Sequence, residues 1–420
     1  MNKVILHCDL NCFYASVEML FHPELRQVPF AVGGDVEKRH GIILTKNALA
    51  KQAGVQTGEP LWQAKQKCPN LQLMTPRFEL YLEFSKKVTA IYADYTDQIE
   101  PFGIDECWLD VTGSVHLFES PIHLAREIMD RILIEVGLTV SVGLSDNKVY
   151  AKLGSDLANT QELFPIYRDS LETTIYPLPV NNLVFVGRQT TKILNKYNIY
   201  TIGDLAHCSL EFLELRFKKW GHLLYQISRG IDQDHVFFTH GEGSPVKSIG
   251  NSITAVRDLE TLDDYKIIVY RLAESVCERQ RQQNLCAYGI SVSVRDFELF
   301  TQSKQQKLPT PMLNSKDVAR HALRLIEKLR QPNRPIRSLG IKLFELSTRP
   351  KHLQFDLFDL ENDPLDYDLD QAITTIRNRF GPKSISRAVM LLDRELSDFY
   401  PKTQHVIYPI AYLKKGIKKV

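Results

Sequence analysis

The stretch "EPFGIDECWLD", residues 100–110, sets two carboxylates side by side, Asp105 and Glu106, inside a run that otherwise reads as strand, turn and strand. Burying one charge is costly and burying two like charges costs more. The turn is therefore either solvated surface or a site built for a countercharge. Two carboxylates on a tight strand-to-strand turn form a hard-oxygen set, which suits Mg²⁺. Asp9 is the best-placed third acid, because it ends the apolar N-terminal run KVILHCD, residues 3–9. If the two strands are neighbours, all three acids converge at one sheet edge. Two cations about 3.5–4 Å apart could then clamp both ends of a phosphoryl displacement. On this reading metal charge, rather than a salt bridge, offsets the repulsion.

Working outward, residues 11–20 read as helix, and Pro23 and Pro29 break the pattern before a short strand, FAVGG. Residues 40–44 read as strand and 45–54 as a helix stopped by Gly54. Phe78, Tyr81, Leu82, Val88, Ile91 and Tyr92 fit helical spacing over 78–97. Residues 122–136 read as helix and TVSVGLS, 139–145, as strand. Strands and helices mix here without regular alternation, which favours an antiparallel sheet backed by helices. Residues 177–235 switch to short helices separated by Gly and Asn. Beyond Pro245 the order is strand, helix, strand, strand-like piece, helix, strand, ending with IRSLGIKLFEL: a split-βαβ succession. After Pro350 the chain turns acidic and linker-like to about 370, with a short helical piece expected within 371–395. The fold class is thus α+β and multidomain.

The chain has 420 residues, 44% hydrophobic and 24% charged, an ordinary globular composition. No run of about 18 apolar residues spans a membrane, and no secretory signal opens the chain. Seven cysteines at irregular spacing form neither a disulfide framework nor a repeated zinc pattern. A reducing cytoplasm is the expected location, and a monomer the expected state. Net charge is only +2, but residues 240–347 hold 17 Lys/Arg against 12 Asp/Glu, so any polyanion contact belongs there.

Four segments, HCDLNCFYASVE (7–18), EPFGIDECWLDVTGS (100–114), TVSVGLSDNKVYAKLGSD (139–156) and 177–206, resemble in order and spacing the Y-family translesion DNA polymerases, polymerase IV type. The resemblance covers about residues 3–347 and implies a right-hand polymerase. It would consist of a palm (1–20 and 77–165), small fingers (21–76), a helical thumb (166–235) and a split-βαβ little finger (236–347), followed by a C-terminal tail (348–420). It implies template-directed, low-fidelity transfer of dNMP to a primer 3′-hydroxyl with two Mg²⁺ ions and no proofreading. Asp9, Asp105 and Glu106 match the family's metal-binding acids, with Asp105 and Glu106 catalytic, and the Leu10 carbonyl matches its backbone metal ligand. Tyr14 matches the steric gate beneath the sugar and Phe13 the aromatic beside it. Thr45 matches a triphosphate-contacting hydroxyl. Where the family commonly has Tyr and Arg, this chain has Ala48 and Lys51. Asn11 replaces a frequent Asp, and Asn159 a frequent Lys. Lys148 and Lys152 either compensate or are ordinary exposed lysines.

The segment LVFVGRQTTKILNKYNIYTIGDLA resembles a helix-hairpin-helix that retains only Gly187 of two usual glycines. Lys247, Arg257, Arg295 and Arg337, with Lys304, Lys307, Arg334 and Lys342, lie on or beside expected strands, where cations can track a DNA backbone without reading bases. In LQFDLFD, 353–359, Gln354, Phe355, Leu357 and Phe358 resemble the peptide that binds the bacterial sliding clamp. The expected partners are primer-template DNA, dNTP and that clamp. A catalytically weak DNA- and clamp-binding adaptor of the same family is the alternative reading.

Overall fold

The computed structural model describes residues 3–34, 41–231, 235–236, 246–331, 334–349 and 364–399. They separate into two units, the first drawing on Met1–Val32 and Ile43–Gly243, the second on Ser244–Val406.

The first unit is centred on a five-stranded sheet. Its strands are β1 (Ile5–Leu10), β5 (Ile99–Pro101), β6 (Glu106–Asp110), β7 (Val140–Ser145) and β8 (Leu163–Pro165), in the order β5-β6-β1-β7-β8. All neighbours are antiparallel except β7 and β8. β1 lies between β6 and β7 and is apolar and buried along nearly its whole length, as a central strand must be. A smaller sheet joins β2 (Phe30–Gly33), β3 (Ile43–Lys46) and β4 (Gln72–Met74). Helices α1 (Phe13–Phe21), α2 (Ala48–Gln52), α3 (Leu61–Lys67), α4 (Phe78–Ala93), α5 (Pro121–Arg131) and α6 (Lys148–Leu157) accompany the two sheets. Asn47, 4% exposed, ties the small sheet together: its Oδ1 accepts from Ala50 N and Phe30 N, and its Nδ2 donates to the Leu25 and Val28 carbonyls. α7 (Arg188–Asn195), α8 (Ile202–His207), α9 (Leu210–Phe217) and α10 (Lys219–Ser228) follow, short helices packed around Leu194, Leu205, Leu213 and Leu224. α8 starts with a capping box from Thr201 and Asp204.

The second unit contains β9 (Ser248–Leu259), α11 (Leu262–Gln282), β10 (Leu285–Asp296), β11 (Thr301–Met312), α12 (Ser315–Leu329) and β12 (Ile336–Thr348), in the sheet order β11-β10-β12-β9. This is the β-α-β-β-α-β succession read from periodicity. Thr261 and Asp264 form the capping box that starts α11. α11 and α12 pack on one face of the sheet, over Ile290, Val292, Leu339, Ile341 and Leu343. The linker-like reading to about residue 370 is corrected: α13 (Pro364–Phe380) begins earlier, and with α14 (Arg394–Ser397) it joins the second unit. The reason is a buried ion network. Glu274 accepts from Arg377 (2.9 Å) and Arg387 (3.0 Å). Asp370 accepts from Ser315 N (2.6 Å), Ser315 Oγ (2.7 Å) and Arg281 (3.2 Å).

Candidate active site

Register sets the site. β1 pairs with β6 so that Asp9 faces Glu106, and Leu10 N donates to the Asp105 carbonyl at 3.0 Å. Asp9 and the Asp105–Glu106 pair, far apart in the chain, therefore meet at one end of the sheet.

A lysine sits among them. Lys152 Nζ lies 3.0 Å from Glu106 Oε2, 3.5 Å from Asp9 Oδ2 and 2.9 Å from Asp156 Oδ1. Gly143 explains how α6 delivers it: a Cβ there would stand 1.9 Å from the Ala151 carbonyl and 2.4 Å from Ser155 N, so helix backbone rests directly on β7. His7, opposite Gly143 in the register, is fully buried. Its Nδ1 bonds Ser155 Oγ at 2.7 Å, while Nε2 lies 3.5 Å from Glu106 Oε2, at the outer edge of hydrogen-bond reach. Burial lowers the His7 pKa, which favours the neutral ring.

The charges are unequally served. Burial, then the charge of Glu106, pushes Asp9 up to about 7, against the partial relief of Lys152. Burial and Glu106 likewise raise Asp105 to about 6. Burial would also raise Glu106, but His7 and Lys152 overcome it and hold it at about 2. Lys152 loses some stability of its charge to burial and regains more from Glu106, Asp156 and Asp9, so its pKa is raised. Neither lysine of the motif is an exposed one: Lys152 is 8% exposed, and Lys148, 9% exposed, pairs with Glu100 at 2.8 Å. In the structure, then, an ion pair stands opposite the acids where sequence reasoning looked only for metal. Among the described residues no three His, Cys, Asp or Glu side chains are already gathered as a metal-ligand set. The donor chemistry nonetheless fits Mg²⁺: the set is all oxygen, and a single ammonium serves Asp9 and Glu106 together, with Asp105 beside them.

Aromatic rings flank the acids. Tyr14 stacks on Tyr81 at 4.4 Å and meets Phe78 edge-on at 6.0 Å. Tyr81 donates to the fully buried Glu18 at 2.6 Å, and Arg77 pairs with the same carboxylate, which fixes the stack. Burial and then Asp105 raise the Tyr14 hydroxyl to about 12. Phe13 is core, 2% exposed. Thr45 is half-buried on β3, and Lys51 is exposed on α2. Lys46 and Lys51 both act electrostatically on Cys12, at the start of α1. Lys46 Nζ bonds Thr57 Oγ1 at 3.0 Å. Asn159 is exposed, and its carbonyl accepts from Ser141 Oγ at 2.7 Å. Asn11 donates to the same Ser141 Oγ at 2.7 Å and accepts from Gln161 N at 3.1 Å.

Model matches cover most of the chain. Residues 8–156 match the impB/mucB/samB family, 246–357 its C-terminal domain, and 182–232 a thumb domain described for DNA polymerase iota. DNA polymerase IV of Acetivibrio thermocellus is 44% identical over 399 residues, spanning 94% of this chain and all of that relative. The chain belongs to the Y family of DNA polymerases, polymerase IV type. DNA polymerase IV 2 of Bacillus subtilis is 37% identical, over 93% of this chain and 95% of that relative. A Y-family DNA polymerase chimera of Dbh and Dpo4 superposes with a TM-score of 0.72 at 24% identity, over 81% of this chain and 98% of that one, a likeness of fold. Among the described residues no helix is long and apolar enough to cross a membrane.

The remaining expected site residues of this Y-family chain fall out unevenly. Gly187 precedes α7, and a Cβ there would meet nothing within 4 Å. Lys247, Arg295 and Lys342 are exposed, and Arg337 is half-buried. Arg257 is already engaged within the protein: its guanidinium pairs with Asp264 (2.7 Å) and Asp393 (2.8 Å). Arg334 is likewise paired with Asp296 (2.8 Å) and Glu298 (2.9 Å), and Lys307 with Glu345. Gln354, Phe355, Leu357 and Phe358 lie outside the described residues. Sequence reasoning missed a different surface. On the sheet face away from the helices, Ser291, Ser293, Ser252, Gly250 and Gly340 occupy neighbouring register positions, with Lys342 beside them. A Cβ at Gly340 would stand 2.7 Å from Ser293 Oγ and 3.0 Å from Ser252 Cβ, so the serines would have to shift. Such a low, hydroxyl-lined face lets a sugar-phosphate backbone approach closely.

Proposed function

We propose that this chain carries out translesion DNA synthesis, adding dNMP to a primer 3′-hydroxyl against a template, at low fidelity and without proofreading. The observation that supports it most is the meeting of Asp9, Asp105 and Glu106 at one sheet end, beside the Tyr14–Tyr81 stack. Asp9, Asp105, Glu106 and the Leu10 carbonyl would hold two Mg²⁺ ions, with Lys152 yielding its present place between the acids. Bound there, Mg²⁺ would lower the pKa of the primer hydroxyl and neutralise the triphosphate.

The chain's own groups do the rest. His7 orients Glu106 from behind. The Tyr14 ring, held flat by Tyr81, fills the space a ribose 2′-hydroxyl would need. Thr45, Lys46 and Lys51 bind the triphosphate, with lysine point charges replacing a bidentate arginine. The primer oxygen attacks the α-phosphorus and pyrophosphate leaves. The palm, fingers, thumb and little finger take the boundaries given above. The thumb hairpin and the Ser/Gly sheet face hold duplex DNA without reading it. Gln354, Phe355, Leu357 and Phe358 recruit a bacterial sliding clamp, the glutamine at the mouth of a pocket and the apolar side chains within it.

Primer extension with Mg²⁺ tests the reading. Wild type should extend; a protein carrying Asp105→Ala and Glu106→Ala should not, and equal signal from both removes these acids from the reaction. Tyr14→Ala should raise ribonucleotide incorporation, and an unchanged sugar preference would assign the gate elsewhere.

A further inference from the structure

Three non-glycine residues of the short-helix segment have positive φ: Asn198, of a type that tolerates it, and two of types that rarely adopt it, Phe185 at φ 71° and Lys218 at φ 54°, ψ −129°. Both adjoin exposed aromatic surface. Phe185 is 50% exposed and Trp220 55% exposed, and their ring centroids lie 6.5 Å apart. A bulky residue stays in the left-handed region only where its surroundings hold it, and such residues gather at binding sites. Glycine would meet the same backbone demand without strain, so the ring is what this position keeps.

The neighbourhood specifies the charge of the partner. Residues 181–200 contain Arg188, Lys192 and Lys196 and no acid, and residues 215–222 contain Arg216, Lys218 and Lys219 and no acid. Arg188, Arg216, Lys218 and Lys219 are exposed. Arg216 lies over the Tyr197 ring at 5.1 Å and joins the two segments into one face. Glu214, the acid next along the chain, faces His222 at 3.5 Å.

We propose that Phe185 and Trp220 make an apolar contact with the primer-template strand whose phosphates the flanking cations hold. The proposal rests on the polymerase reading and adds residues to it. A contact of this kind with the deoxyribose faces of the duplex backbone is tolerant of sequence, since every nucleotide carries the same sugar. It would also take over part of the grip that a second hairpin glycine gives by close backbone approach.

The test titrates the full-length protein into fluorescein-labelled primer-template without dNTP, reading anisotropy, with thermal melting alongside. Phe185→Gly and Trp220→Ala should each weaken binding at least about fivefold. Phe185→Gly should melt no lower than wild type, because its backbone is relieved. Wild-type affinity in both variants would overturn the proposal. So would a loss of affinity matched in both by a lower Tm, which would make the rings packing residues. A wild-type protein that binds primer-template but fails to extend it would defeat the polymerase reading, while the same titration still decides this contact.

Discussion

At the end of β1, Asp9, Glu106 and Asp156 share one ammonium, that of Lys152, with Asp105 close by and His7 favoured neutral. In the second unit, Glu274 and Asp370 share three guanidiniums, those of Arg281, Arg377 and Arg387, plus the Ser315 donors. Both places bury carboxylates. The first is short of positive charge and the second is amply supplied. A deficit is useless for stability but is what a cation-binding site requires; a surplus of donors fixes a helix in place and leaves nothing to bind with.

The contrast can be broken at several points. Replacing Asp105 by Ala should cut primer extension at least about a thousandfold, while urea unfolding of the variant shows no loss of stability, since the folded state holds that carboxylate at a raised pKa of about 6 and gains nothing from its charge. Replacing Asp370 by Ala should do the reverse: extension persists, but stability falls by about 3–5 kcal/mol because Arg281 is left buried without its carboxylate and Arg387 keeps only Glu274. Lys152→Met should raise the Tm increment that added Mg²⁺ produces, by removing the competing ammonium. An increment equal to wild type would mean that the lysine and the ions do not share the space.

The smallest effect is the sharpest in sign. In chelator-treated protein, Asp9, with its folded pKa near 7 against an ordinary 3.8, binds its proton more tightly when folded. Its contribution therefore improves as pH falls through 7. Asp264 runs the other way. Burial would raise it, but Arg257 and the Thr261 and Glu260 amides hold it at about 2. Its contribution is complete above 3.8 and is lost as pH falls towards 2. Melting curves of Asp9→Asn should flatten the slope between pH 8 and 6, and those of Asp264→Asn the slope below pH 4. Slopes unaltered by either substitution would dissolve the distinction.

What could be read in advance follows range in the chain. The β-α-β-β-α-β order was legible because each element carries its own period, and Asp105 and Glu106 because two acids interrupt an apolar hairpin. Lys152 and His7 were not assigned to the acid cluster. Lys152 lies 143 positions from Asp9, and His7 meets Ser155 across 148; nothing local announces such pairs. The pairing of Arg257 was only half hidden. On its strand it reads as a spare cation, yet it pairs with Asp264, seven residues on, and with Asp393, 136 residues away. The helix from Pro364 was obscured by an acidic stretch whose countercharges, Lys316, Arg281 and Arg387, come largely from elsewhere.

Gly143 has a reach out of proportion to its size. With no methyl group there, helix and strand touch backbone to backbone, and that contact sets how far a lysine one turn away extends into the acid cluster. An alanine at this position would leave every charged group of the cluster in the chain and yet retune the cluster, lifting the helix like a shim under one leg of a table.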